Sequence, residues 1–222
     1  MELCLRATTE RGLTDDELSA GLIALLERHP AKKVLLLPPD YTRYYSKAGF
    51  LTQVCYSHYT AHGAEVDLLP TLGTHRPMTR AEAADMFGEI PFERILEHRW
   101  RTDVVNIGEV PGEEIAHYSD GLWTTPIPIE VNRIVMDESY DLILSLGQVV
   151  PHEVIGMSNH AKNIFVGAGG AGIIHSTHLL GALYGMERVM GRDGSPVRKV
   201  MDYALAHFLG ERPVLFLLTV TT

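Results

Sequence analysis

The 222 residues suffice for one large domain or two small ones, and with 45% apolar and 8% aromatic residues they can bury a sizeable core. A formal charge of −9 argues against nucleic acid and anionic membrane surfaces as partners, because both call for clustered Lys and Arg. Two cysteines make no disulfide framework, MELCLRATTERG holds no apolar leader, and no run reaches a membrane span, so the expected location is the cytoplasm.

In chain order the elements alternate between helix and strand. TDDELSAGLIALLERHP opens with Thr14 as N-cap and Glu17 three residues on, a capping box, and Leu18, Leu22, Leu25 and Leu26 follow at helical spacing. KKVLLLPPD is a short apolar run that empties into a loop, the pattern of a buried strand. SKAGFLTQVCYSHYTAHG then reads as a helix, AEVDLLP as a strand, TRAEAADMFGE as a helix, TDVVNIG and SYDLILSLG as further strands. IIHSTHLLGALYG and SPVRKVMDYALAHFLG are helical stretches, and RPVLFLLTV is a last strand. Apolar strands separated by helices predict an α/β fold: a mostly parallel, Rossmann-like sheet with helices on both faces. PVLFLLTVTT reads as a strand just completed with nothing after it, which suggests a shortened chain.

Ligands of open α/β sheets sit beyond the carboxyl ends of the strands. VLLLPPD delivers Asp40, Tyr41, Thr42 and Arg43 there, VDLLPTLGTH delivers His75, and LILSLGQVVPHE delivers His152 and Glu153. Each alone reads as an ordinary loop residue; their coincidence at three strand ends points to a site. Downstream, His160, His175 and His178 surround Lys162 and the run VGAGGAG, with Gly167, Gly169, Gly170 and Gly172. Glycines ahead of a helix let backbone N–H groups approach a phosphate. A P-loop is excluded, since G-x-x-x-x-G-K-[ST] is absent. His175 and His178 share a helix face if that segment is helical, but neither HExxH nor a cysteine cluster accompanies them.

The DYTR segment, LGTHRPMT, PHEV with the following Lys162, and the TH ending at His178 resemble the amino-terminal domain of nickel-dependent lactate racemase and its 2-hydroxyacid racemase and epimerase relatives. The resemblance covers nearly the whole chain. It implies that Lys162 carries a nickel-pincer nucleotide, a nicotinic-acid-derived mononucleotide bound through a thioamide, and that His178 ligates the nickel. It implies His75 and His152 as the two acid/base residues, and Asp40 and Arg43 as a polar pair beside the site, Arg43 suited to a substrate carboxylate. Thr42, Gly167, Gly169 and Gly170 fall to cofactor binding, the glycines as a phosphate cradle. His160 and His175 receive no role and are expected to be structural or solvent-facing.

The implied reaction is racemisation or epimerisation of a small 2-hydroxy acid through a 2-keto acid, with enzymes of cofactor synthesis as transient partners. Hydride removal circumvents the poorly acidic Cα–H, and two stereoisomers need two bases on opposite sides. The family also implies a second α/β domain that closes the cleft. This chain differs from many lactate racemases in having Asn159, His160 and Ala161, in place of glycines, just ahead of the lysine. Two other readings compete: a noncatalytic nucleotide-binding module, and a metal-dependent hydrolase using His75, His152 and His178.

Overall fold

The computed structural model describes residues 3–220; Met1, Glu2, Thr221 and Thr222 lie outside the described residues, and with them the abrupt end read from the sequence. α1 (Asp15–Leu26) begins at the Thr14–Glu17 capping box, with both reciprocal hydrogen bonds formed. β1 (Lys33–Leu37), α2 (Ala48–Ala61), β2 (Glu65–Leu68) and α3 (Arg80–Phe87) follow where apolar runs and helical spacing place them. A second capping box, Thr79 with Glu82, starts α3. β3 (Val104–Val110), α4 (Gly112–Tyr118), β4 (Ile127–Asn132) and β5 (Leu142–Gln148) come next. The chain continues through β6 (Pro151–His152), β7 (Gly156–Met157), α5 (Ala171–Tyr184), α6 (Met186–Val189), α7 (Pro196–Phe208) and β8 (Val214–Thr219).

The main sheet has the order β2-β1-β5-β8, and all its pairings are parallel. The first crossover runs from β1 to one side, and later strands add on the other, so the order reverses between β1 and β5. That crevice is where such sheets bind ligands. Alternation along β1 divides the core. Val34 and Leu36 face α1, α2 and α3, packing with Leu26, Leu51, Tyr59 and Phe87. Leu35 and Leu37 face Ile129, Ile173, Val200 and Met201 of β4, α5 and α7. Removing one such fully buried leucine, as in Leu36→Ala, costs roughly 2–5 kcal/mol.

One strand departs from the sequence reading. TDVVNIG forms β3, but β3 pairs antiparallel with β4 in a separate two-stranded ribbon that packs on one face of the main sheet. A strand of the central sheet must be apolar on both faces, and Val105, Asn106 and Glu109 of β3 are exposed. β4 escaped the sequence reading because prolines flank and interrupt it; yet Ile127, Ile129 and Val131 alternate inward and are fully buried. No helix among the described residues is long and apolar enough to cross a membrane.

Candidate active site

The loop after β1 sets the first side chains. Asp40 is the N-cap of a 3-10 segment, Tyr41–Ser46: its Oδ1 accepts the Thr42 amide at 3.2 Å and the Thr42 hydroxyl. Arg43 sits inside this segment with non-helical angles (φ −109°, ψ 28°) and is exposed toward the cavity it helps to line. Asp40 itself is buried, and its second oxygen, Oδ2, accepts from His75 Nδ1 at 2.6 Å. A carboxylate only accepts, so neutral His75 carries its proton on Nδ1 and keeps a lone pair on Nε2. His75 comes from the loop after β2, where Gly73 takes φ 56° and donates its N–H to Gly167 O at 2.8 Å. This stitch joins the His75 loop to the segment after Lys162.

Between the ends of β1 and β5 lies Asn163, buried in the crevice where the strand order reverses. Its Nδ2 donates to Leu37 O at 2.9 Å and Ser145 Oγ at 3.0 Å, and its Oδ1 accepts from Thr71 Oγ1 at 2.7 Å. One amide thus ties together the ends of both strands and the chain leaving β2. Lys162 precedes it at the start of a π-helical turn, Asn163–Gly167, and lines the same cavity. Burial, and secondly the nearby Arg43 guanidinium, push the Lys162 amine down to about 8. A fraction is therefore an uncharged, nucleophilic amine at neutral pH.

His152 stands in the β6–β7 hairpin beyond β5, its side chain 12% exposed. Its Nδ1 accepts the Val154 amide at 3.1 Å, so the neutral ring carries its proton on Nε2, the opposite tautomer to His75. Burial first, and then the Lys162 charge, push His152 down to about 4, against the opposing pull of Glu153. Glu153 Oε2 lies 3.7 Å from the same Nδ1. His178, on the second turn of α5, donates Nδ1–H to Ile174 O at 2.6 Å, which leaves Nε2 free as a ligand. The cavity, about 320 Å³, is lined by Asp40, Thr42, Arg43, His75, His152, Lys162, Gly167 and His178 together.

Two residues assigned to the cofactor lie elsewhere. Gly169 bridges to Val131 of β4, gives its carbonyl to His98 Nε2 at 3.0 Å, and has no room for a Cβ against Phe165 O. Gly170, the N-cap of α5, packs on Glu130, whose Oε2 accepts Gly172 N–H at 2.6 Å. The amino end of α5 is thus already met by a carboxylate of the chain. Of the glycines read as a phosphate cradle, Gly167 lines the cavity, while Gly169 and Gly170 pack closely on Phe165 and on Glu130 of β4. His160 stacks on Phe216, and His175 is exposed against Trp100, both as expected.

Sequence reasoning missed Asn163, Thr71 and Ser145. The only signal for Asn163 is an amide placed beside Lys162 at the head of the apolar run IFV. As to a metal, no group of three His, Cys, Asp or Glu side chains among the described residues is gathered to hold one. The three histidines named for a hydrolase thus do not converge as a ligand set. One free imidazole, His178, fits a metal whose other donors come from a bound organic group, and the Lys162 amine fits the attachment of such a group.

A family model described as the lactate racemase N-terminal domain matches residues 18–191. No curated protein matches the chain. Among solved structures, a Thermotoga maritima protein superposes with a TM-score of 0.85 at 25% identity, over 98% of this chain and 53% of that one. The lactate racemase apoprotein of Thermoanaerobacterium thermosaccharolyticum gives 0.68 at 19% identity, over 98% of this chain and 50% of that one, a likeness of fold. The chain thus spans about half the length of these two proteins. By the family match, the chain belongs to the lactate racemase N-terminal domain family.

Proposed function

We propose that this chain forms the cofactor-and-base half of a 2-hydroxyacid racemase or epimerase. The observation that carries the reading is the convergence of Lys162, His178, His75, His152 and Arg43, from separate segments, on one cavity at the β1–β5 crevice. In this reading Lys162 holds a nickel-pincer nucleotide through a thioamide, and His178 Nε2 ligates its nickel. When bound, the group supplies a hydride acceptor and donor at the substrate Cα.

The chain's own residues do the rest. Arg43 takes the substrate carboxylate, for which a planar two-pronged donor is suited. His75 Nε2 accepts the hydroxyl proton as the C–H bond breaks, and Asp40 stabilises the imidazolium that results. His152, as found, offers Nε2–H as a hydrogen-bond donor. To act as the second base it must release the Val154 amide and move its proton to Nδ1, and Glu153 Oε2, 3.7 Å from that nitrogen, must close in to accept it. As found, the two histidines hold opposite tautomers, and of the two only His75 presents a free Nε2.

The reading is tested by producing the protein together with the enzymes that synthesise the cofactor. Intact mass should show an increment that Lys162→Ala abolishes, and metal analysis should show nickel that His178→Ala loses while the increment remains. An increment that persists in Lys162→Ala ends the assignment of the tether.

A further inference from the structure

Ahead of Lys162 the backbone takes an unfavourable path. Asn159 (φ 62°) and His160 (φ 56°) are consecutive non-glycine residues in the left-handed region. That region costs roughly 1–2 kcal/mol per L-residue, less for Asn, so a pair of them persists only where neighbours hold it. Asn159 contributes its own brace: Oδ1 accepts the His160 N–H at 2.7 Å, and Nδ2 reaches Leu146 O at 3.4 Å. Gly147 makes this possible, since a Cβ there would strike the Asn159 amide.

His160 is held from outside the turn. Its ring lies 4.1 Å from Phe216 of β8, and its Nδ1 accepts from Arg198 Nη2 at 2.9 Å. Burial, and then Arg198, keep His160 below the usual histidine range, so Nδ1 stays an acceptor. Arg198 belongs to α7, and its side chain is only 12% exposed. Its Nη1 also donates to Asn159 O at 3.0 Å and Met157 O at 3.5 Å, while Nε faces Asp202 at 3.4 Å. α7 is fixed in turn by Ser195 Oγ, which donates to Ile155 O at 2.7 Å. One guanidinium thus grips both residues of the left-handed pair, and His160 O accepts Asn163 N–H at 3.0 Å, starting the turn that carries Lys162.

We propose that Arg198 is the positioning residue for Lys162: its guanidinium locks the left-handed Asn159–His160 turn and thereby aims the lysine amine into the cavity. The proposal rests on the reading of Lys162 as the reactive amine of the site. Arg198 does not act on that amine by charge, because the depression of Lys162 comes from burial and Arg43. Its effect passes through the backbone. A lysine at 198 would not substitute, since a single ammonium cannot reproduce the planar fork.

The test uses the apo protein, so its outcome does not depend on whether a cofactor attaches. Wild type, Arg198→Ala, Arg198→Lys and the double variant Arg198→Ala/His160→Gly are pulse-labelled with acetic anhydride over a pH series. Peptide mass spectrometry reads Lys162 acetylation, and circular dichroism reads folding. The wild-type midpoint is expected near 8. Both single variants should shift it upward by about one unit or more, toward the ordinary lysine value of about 10.4. The double variant should return it to near wild type, because glycine takes the left-handed conformation without a clamp. A folded single variant that keeps the wild-type midpoint overturns the proposal, as does a double variant no nearer wild type than Arg198→Ala. Should Arg198→Ala not fold, Arg198→Lys, which keeps the charge and the stem, decides by the same criterion.

Discussion

His75 donates its Nδ1 hydrogen to the buried Oδ2 of Asp40 across 2.6 Å, and this bond determines which nitrogen remains to accept a proton. Asp40→Asn keeps the volume but removes the acceptor-only group, so the ring is no longer held in one tautomer. The expected result is a fall of roughly 10²–10⁴ in racemisation by cofactor-loaded protein, the usual contribution of a positioned acid/base group. Nitrogen-15 shifts of His75 should show the Nδ1–H form in wild type and a mixture in the variant. An unchanged rate would remove His75 from the role of base.

Lys162 should destabilise the apo protein at neutral pH. Its folded value of about 8 lies below the value of about 10.4 for a free lysine, so the unfolded chain binds the proton more tightly. The cost is fully present below the folded value and disappears as pH rises through the unfolded one. Lys162→Met should therefore be more stable than wild type by about 1–3 kcal/mol at pH 7. The difference should vanish toward pH 11, as read by urea unfolding at both pH values. A gap that does not depend on pH would place the amine in water.

His152 titrates in a different window with the same sign. Its folded value is pushed down to about 4, against about 6.5 in the unfolded chain. Above about 6.5 the ring is neutral in both states and costs nothing; as pH falls from there to 4, only the unfolded chain gains the proton and stability is lost. His152→Gln should lose less stability than wild type between pH 6.5 and 4, by roughly 1–3 kcal/mol, in thermal melts across that range. Parallel losses in the two proteins would mean that His152 is solvated.

Asn163 should be costly to replace. Asn163→Ala removes the partner of Thr71 and Ser145 and opens a gap between β1 and β5, at about 2–4 kcal/mol. It should also raise the midpoint of Lys162 acetylation, since the crevice that desolvates the amine loosens. Asn163→Leu should not rescue either property, because the Leu37 carbonyl would still lack its donor. Wild-type stability in Asn163→Ala would show that the amide does not hold the crevice.

The contrast between Asn163 and His75 shows what the sequence could convey. His75, His152, Arg43 and Lys162 were readable because their chemistry is uncommon and three of them follow apolar strand ends, where a parallel sheet presents its ligands. The parallel strands were readable for the same reason of burial on both faces. β3 misled because a half-buried ribbon strand and an irregular central strand look alike over seven residues. Glu130 at the amino end of α5, and Arg198 behind the left-handed turn, act across 42 and 39 residues of chain, and no local spacing announces such partners.

The last prediction concerns exclusion of water. His75 is 57% exposed at its side chain, and Arg43 is exposed as well, so the cavity as described opens to solvent. Hydride and proton transfer need a water-poor site, where charges interact strongly and a keto acid intermediate is retained. The groups on this chain can bind a carboxylate and hold a proton, but in this arrangement they do not close over a substrate. We expect residues 1–222, loaded with cofactor, to racemise 2-hydroxy acids roughly a hundredfold or more below a chain carrying in addition a second half of the size found in the two similar structures. Chiral chromatography with a panel of 2-hydroxy acids reads the rates, and cofactor mass in both proteins separates poor loading from poor turnover. Keto acid released into solution by the short chain would be the sign of an open site, because an intermediate that is not enclosed escapes before it is reduced. Comparable turnover by the two chains, with no released keto acid, would show that Arg43, His75 and His152 close the site by themselves.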